Sequence, residues 1–244
     1  MIKLTRNTAP DKLSEEFVKE GTEKYKTTKE SVWNVDWLKE ALLNMSNQKC
    51  AYCEGRLDLK SDYMEVEHFR DKKDYPNDVL IWENLLPSCK HCNGHKNSHD
   101  VISEPIINPF VDFPKEHIFL KSYLYKPKDE LGQSTIDVLD LNDSTRLVIA
   151  RCTLGTEINK RLEERLHEIK TGLTQTGAKK RFKNKMRELM KKCLPDAEYS
   201  AVCSTELISS TEYAEIVNLM KDLSIWDEEF EDYNSIISSI ALVA

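Results

Sequence analysis

Four cysteines define the first piece of chemistry available to this chain. Cys50-Ala-Tyr-Cys53 and Cys89-Lys-His-Cys92 are two Cys-x-x-Cys pairs. A two-residue gap lets both sulfurs face one ion while nearby backbone N–H groups face the thiolates. Two such pairs supply four thiolates, the donor set of a closed tetrahedral Zn²⁺ site. Cys152, Cys193 and Cys203 are left over. Their odd number does not suit a disulfide framework, and they read as small buried hydrophobes. The opening Met1-Ile-Lys-Leu-Thr-Arg6 lacks an apolar stretch after its charges, so no secretory signal and a reducing compartment are expected.

The segment between the two pairs carries more than a zinc ribbon requires. Met64-Glu-Val-Glu-His-Phe69 reads as a short strand. Period two places Glu65, Glu67 and Phe69 on one face and Met64, Val66 and His68 on the other. An acidic residue directly before a histidine sets a ligand for a hard cation and a base beside one phosphate. After the loop Arg70–Ile81 comes Trp82-Glu-Asn-Leu-Leu-Pro-Ser-Cys89, and the second pair runs into Cys92-Asn-Gly-His-Lys-Asn-Ser-His99, a short helix.

Glu67-His68, then Asn84-Leu85, then Cys89-x-x-Cys92-Asn93-x-x-Lys96 resembles the HNH endonucleases of the type in which a four-cysteine zinc site clamps a ββα-metal core. The resemblance covers roughly 49–99. It implies that His68 is the general base that activates water. It also implies that Glu67 is an acidic metal ligand, that Asn84 braces the loop and orients the histidine, and that Asn93 is the second ligand of a catalytic Mg²⁺ or Mn²⁺. The family more often has Asp before the histidine, so Glu67 reaches one methylene further. His95 and His99 lie close to Asn93, and His95 is an alternative or additional ligand. Lys96 is a candidate phosphate contact. Products with 5′-phosphate and 3′-hydroxyl ends are implied.

These residues need elements to hold them. Val35, Leu38, Leu42 and Met45 recur at helical spacing and form a core-facing stripe leading into Cys50. A helix from 142 onward carries Leu147, Ala150, Leu154, Ile158, Leu162, Leu166, Ile169 and Leu173, with Asn142, Asp143 and Ser144 as candidate N-caps. Gly172 and Gly177 mark a turn into a second helix over 178–193. Trp226, Phe230, Tyr233, Ile237 and Ile240 form an apolar stripe on a last helix that either closes the core or docks on a partner. The expected fold is α+β and mostly helical. A helical region at 1–46 precedes the zinc-bound HNH core at 47–100. A connector at 101–140, strand-rich around His117–Tyr125, packs on the core, and a helical region for substrate or partner binding follows at 141–244.

The chain has 244 residues, with 35 Lys and Arg against 42 Asp and Glu, a formal net charge of −7. No apolar run approaches the roughly 20 residues that span a bilayer, so no membrane partner is expected. The acidic balance counts against a free-standing nucleic-acid binder. Charge is unevenly spread, however: residues 160–192 hold 12 Lys or Arg against 4 Glu, and 193–244 hold 1 Lys against 11 acidic residues. Lys179, Lys180, Arg181 and Lys183 suit a phosphate backbone.

The wider layout also carries a resemblance. The Met-Ile-Lys-Leu start, Cys-x-Tyr-Cys-Glu, Glu-His-Phe, and Asp-Val-Leu-Asp-Leu-Asn before a helix bearing Arg are similar to the HNH nuclease subunits of the bacterial Septu anti-phage system and their retron-associated relatives. This implies a DNA endonuclease of the bacterial cytoplasm, acting in a hetero-oligomeric complex with an ABC-type ATPase subunit. The chain has no Gly-x-x-x-x-Gly-Lys loop, so that ATPase is another chain. Two other readings remain: a zinc-stabilised nucleic-acid or protein binding module without cleavage, and a toxin nuclease acting on RNA.

Overall fold

The computed structural model describes residues 1–58 and 64–244. Its elements, in order, are α1 (Glu15–Thr28), α2 (Asp36–Met45), β1 (Met64–His68), a 3-10 turn (Trp82–Asn84), β2 (Leu85–Cys89), α3 (Lys90–Lys96), α4 (Pro114–His117), β3 (Ile118–Lys121) and β4 (Leu124–Pro127). Helices α5 (Glu130–Val138), α6 (Leu147–Lys170), α7 (Ala178–Lys191), α8 (Ser200–Ser209), α9 (Thr211–Asp222) and α10 (Glu228–Ile240) complete it. This is the expected α+β fold, in which helices far outweigh strands.

Antiparallel β1 and β2 pair in a register that sets Met64 opposite Cys89 and His68 opposite Leu85. The strand pair therefore joins the Glu-His dipeptide to the second cysteine pair directly, and α3 follows from β2 without a break. Leu38, Leu42 and Met45 of α2 are buried beneath these strands. Side-chain oxygens cap the helices where the sequence offers them: Ser14 accepts from Phe17 N–H, Asp129 from Gly132 N–H, and Ser210 from Tyr213 N–H.

Two apolar clusters make up the core. The first gathers α2, the cysteine pairs, β1–β4 and the turn before α6; the second gathers α6–α10. Phe230 and Ile237 of α10 are buried in the second, so the last stripe closes a core. Lys49 joins the two. Its ammonium is buried, and it donates to the carbonyls of Pro195 (2.6 Å) and Ala197 (2.9 Å) and to Glu54 Oε1 (3.2 Å).

Two local expectations are corrected. Helix α6 starts at Leu147, and its N-cap residue Arg146 makes no side-chain cap. Asn142 instead clamps the backbone of Tyr125, accepting from its N–H and donating to its carbonyl at 2.9 Å each, while Asp143 accepts from Thr145. Of the spare cysteines, Cys193 and Cys203 are buried, but Cys152 lies exposed on α6.

Candidate active site and metal centre

Cys50 and Cys53 lie in a tight turn that the bridge between Lys49 and Arg56 closes. Cys89 ends β2 and Cys92 sits in the first turn of α3. All four thiols are buried, and their sulfurs lie within 4.8 Å of one another. Cys53 Sγ and Cys89 Sγ are 3.7 Å apart, far beyond a disulfide bond. A tetrahedral site with Zn–S bonds of about 2.3 Å has sulfur–sulfur edges of about 3.8 Å. The donor set and its spacing both fit zinc. Cys92 N–H points at Cys89 Sγ (3.5 Å), the amide support that a thiolate at this position needs.

One step along β1, Glu67 and His68 are buried side by side, 2% and 3% exposed. His68 Nε2 lies 3.0 Å from the Val79 carbonyl. A carbonyl only accepts, so Nε2–H donates and the neutral ring keeps its lone pair on Nδ1. Burial lowers the imidazole from its ordinary 6.5 to about 4, so the ring is neutral near pH 7. Asn84 fixes the carbonyl side of this arrangement. Its Oδ1 accepts from Arg70 N–H (2.7 Å), and its Nδ2 donates to the carbonyls of Arg70 (3.1 Å) and Asp78 (3.2 Å). Asp78 adjoins Val79, so one amide side chain sets the loop that holds the histidine.

Glu67 faces α3, on the opposite side of the strand from His68, as period two requires. Lys96 Nζ stands 2.7 Å from its Oε1, yet that oxygen has no aligned hydrogen bond. Burial pushes the Glu67 carboxyl up to about 7, against the pull of the Lys96 ammonium. The hydroxyl of Tyr52, in the first cysteine turn, is also buried without a hydrogen-bond partner. Burial and then the charge of Glu67 push this phenol well above its ordinary value. The Glu67 carboxylate, beside the Tyr52 hydroxyl and facing the Lys96 ammonium, is the kind of oxygen donor that suits Mg²⁺ or Mn²⁺.

The remaining candidates divide. Asn93 stands on the same face of α3 as Lys96, but its amide donates to Glu65, two residues before Glu67. Glu65 shares the Glu67 face that the strand pattern gives, but nothing in the sequence signals its pairing with Asn93. Lys96 is 1% exposed and donates to the His68 carbonyl (2.9 Å). Expected as a phosphate contact, its ammonium lies inside, between Glu67 and the backbone of His68. His95 turns away to a different face, where it and His91 meet Asp140. His99 Nε2 lies 2.7 Å from the Glu104 carbonyl. On α7, Lys183 pairs with Asp227 and Lys179 donates to the Leu223 carbonyl (3.1 Å). Lys180 and Arg181 are exposed. Trp33 is the residue that sequence reasoning missed most clearly. It packs on His68 from a loop with no periodic signal.

Comparison with known proteins agrees with this geometry. The family profile described as HNH endonuclease matches residues 50–99, the span from the first cysteine to the end of α3 and just beyond. The chain is 43% identical to a Septu protein PtuB of Bacillus thuringiensis over 235 residues, covering 95% of this chain and 91% of that one. It is 31% identical to a Septu protein PtuB of Bacillus mycoides over 138 residues, covering 43% of this chain and 46% of that one.

Proposed function

This chain belongs to the PtuB family of Septu proteins and is an HNH endonuclease, and from that premise we propose that it hydrolyses phosphodiester bonds of DNA with a divalent metal. In this reading it acts in bacterial anti-phage defence as the nuclease subunit of a complex with an ABC-type ATPase. The observation that carries the reading is the tautomer of His68. The Val79 carbonyl claims Nε2–H, so Nδ1 is left as the base, and Glu67 precedes it directly on β1. Nδ1 takes a proton from water as that water attacks phosphorus, and the 3′ oxygen leaves. Glu67 and Asn93 would hold the divalent ion, which when bound would supply charge neutralisation at the phosphate. Asn84 keeps the loop, and through it the imidazole, in place. Zinc at the four cysteines is structural: it ties the Cys50–Cys53 turn to β2 and α3.

Net charge supports the complex. The basic run on α7 is partly consumed within the chain, and the acidic total of −7 leaves DNA to be gripped jointly with a partner. Among the described residues, no helix is long and apolar enough to cross a membrane.

The test is cleavage of duplex and single-stranded DNA, and of RNA, by the purified chain alone and with its ATPase, with Mg²⁺ or Mn²⁺. Metal-dependent DNA cleavage is expected, with His68→Ala lowering it at least about 100-fold while zinc content and circular dichroism stay unchanged. Full activity in that variant refutes the base assignment. Preference for RNA would replace the defence reading with that of an RNA-directed toxin.

A further inference from the structure

His91 and His95 stand one turn apart on α3, so their rings share a helix face. The ring centroids are 4.3 Å apart, with the planes at 43°. Opposite them lies Asp140, in the turn between α5 and α6. Its Oδ2 is 3.7 Å from His95 Nε2 and 3.9 Å from His91 Nε2. His91 Nε2 also comes to 3.4 Å from the Asp140 carbonyl. A charge-assisted hydrogen bond between imidazole and carboxylate closes to about 2.7–2.9 Å. These groups converge without closing, and their three ligating atoms fall within 4.8 Å of one another. Bonds of about 2.0–2.1 Å from zinc to nitrogen or oxygen give a tetrahedral edge of about 3.4 Å. The two histidine–carboxylate edges exceed that value by only a few tenths of an ångström, so an ion draws the three side chains together with side-chain movement alone.

The carboxylate is presented by a fixed turn. Asp140 takes the left-handed conformation (φ 45°) that an aspartate tolerates. Its N–H donates to the Asp137 carbonyl (3.2 Å), and Leu141 N–H donates to the Ile136 carbonyl (3.0 Å). The buried guanidinium of Arg151 reaches back from α6 to the Leu141 carbonyl. The His91 side chain is 12% exposed, His95 47% and Asp140 44%, so the cluster is anchored on one side and open to water on the other.

We propose that His91, His95 and Asp140 form a second metal site, separate from the four cysteines and from Glu67. It takes Zn²⁺ or a similar first-row divalent ion. Two imidazoles and one carboxylate select such ions over Mg²⁺ or Ca²⁺, and the open side leaves a position for water. The bound ion clasps α3, the helix that carries Cys92 and Asn93, to the turn that leads into α6. This site stands on its three side chains alone and does not depend on the nuclease reading.

Zn²⁺ is the probe. Full-length protein holding one tightly bound zinc is titrated calorimetrically with Zn²⁺ in Mg²⁺-free buffer, followed by Co²⁺ substitution and visible absorption. One further equivalent is expected, with cobalt d–d bands that lack the thiolate charge transfer of the cysteine site. Asp140→Asn and His95→Ala each weaken the second equivalent by about tenfold or more, with the first zinc and the circular dichroism retained. Both side chains are exposed, so neither change threatens the fold. Absence of a further equivalent overturns the proposal. So does a further equivalent whose affinity is the same in both variants, because that ion would sit elsewhere.

Discussion

The indole of Trp33 stands edge-on to the imidazole of His68, with ring centroids 4.4 Å apart and planes at 76°. Trp33 lies in the loop before α2, and His68 ends β1. The contact seals the histidine from water on one side, and removal from water is the largest cause of its lowered pKa. Lys72 and Lys96 lower it further, while the Val79 carbonyl and Asp71 oppose them.

Replacing Trp33 by leucine lets water reach His68 and raises its pKa from about 4 toward the ordinary 6.5. The sign follows from the base role: the neutral ring is active, so cleavage is lost as pH falls through the pKa of the folded protein. With Glu67 kept ionised by the metal, wild-type protein keeps its rate down to about pH 5. The variant loses rate between pH 7 and 5 and matches wild type near pH 8, after correction for folded fraction. A pH–rate profile under saturating Mg²⁺ checks this. An acid limb in the same place for both proteins would remove Trp33 from the account.

Asn84→Ala removes the partners of three backbone groups at Arg70 and Asp78. Leaving buried groups unpaired costs about 1–3 kcal/mol each, and some will recover water, so a loss of about 2–4 kcal/mol is expected. Activity falls further than stability explains, because the Val79 carbonyl that fixes the His68 tautomer loses its support. Thermal denaturation and kcat, measured together at a temperature where the variant is folded, separate the two effects.

Cys53→Ser removes one of four thiolates from a site that joins three segments. Zinc content, read by metal analysis, falls from one tightly held ion toward none, and Tm drops with it. A strong chelator produces the same shift in wild type. Wild-type protein purified without chelator and containing no zinc at these cysteines would contradict the assignment.

The sequence makes these features legible to different degrees, and the reason is locality. The cysteine pairs, Glu67-His68 and Asn84 are specified by spacings that survive in one strand, one turn and one helix. The strand face of Glu65 and Glu67 is fixed by period two alone. Trp33 and Asp140 are not legible, because each reaches its partner across the fold from a non-periodic segment. The depth of Lys96 is not legible either: an ammonium suits phosphate at the surface and pairs with Glu67 when buried. Asn142 reads as a cap because local sequence cannot show that Tyr125 offers it a backbone edge.

The basic helix is the place where charge counting and structure diverge most. Lys183 is held by Asp227, and Arg187 by Glu229 (2.8 Å), so the acidic start of α10 neutralises part of the run that looked free in the sequence. Exposed pairs of this kind contribute about 0–1 kcal/mol to stability and weaken with salt, so their loss barely changes Tm. Their effect on DNA is larger, because a paired lysine releases few counterions. Lys183→Ala is therefore expected to leave DNA affinity of the complex within about twofold. Lys180→Glu with Arg181→Glu lowers it and flattens the dependence of log K on log salt by about 1–2. Titrations of labelled duplex at several salt concentrations distinguish the two. Equal losses from both changes would show that the Asp227 pair opens on binding, and unchanged affinity in the double variant would place the DNA away from α7.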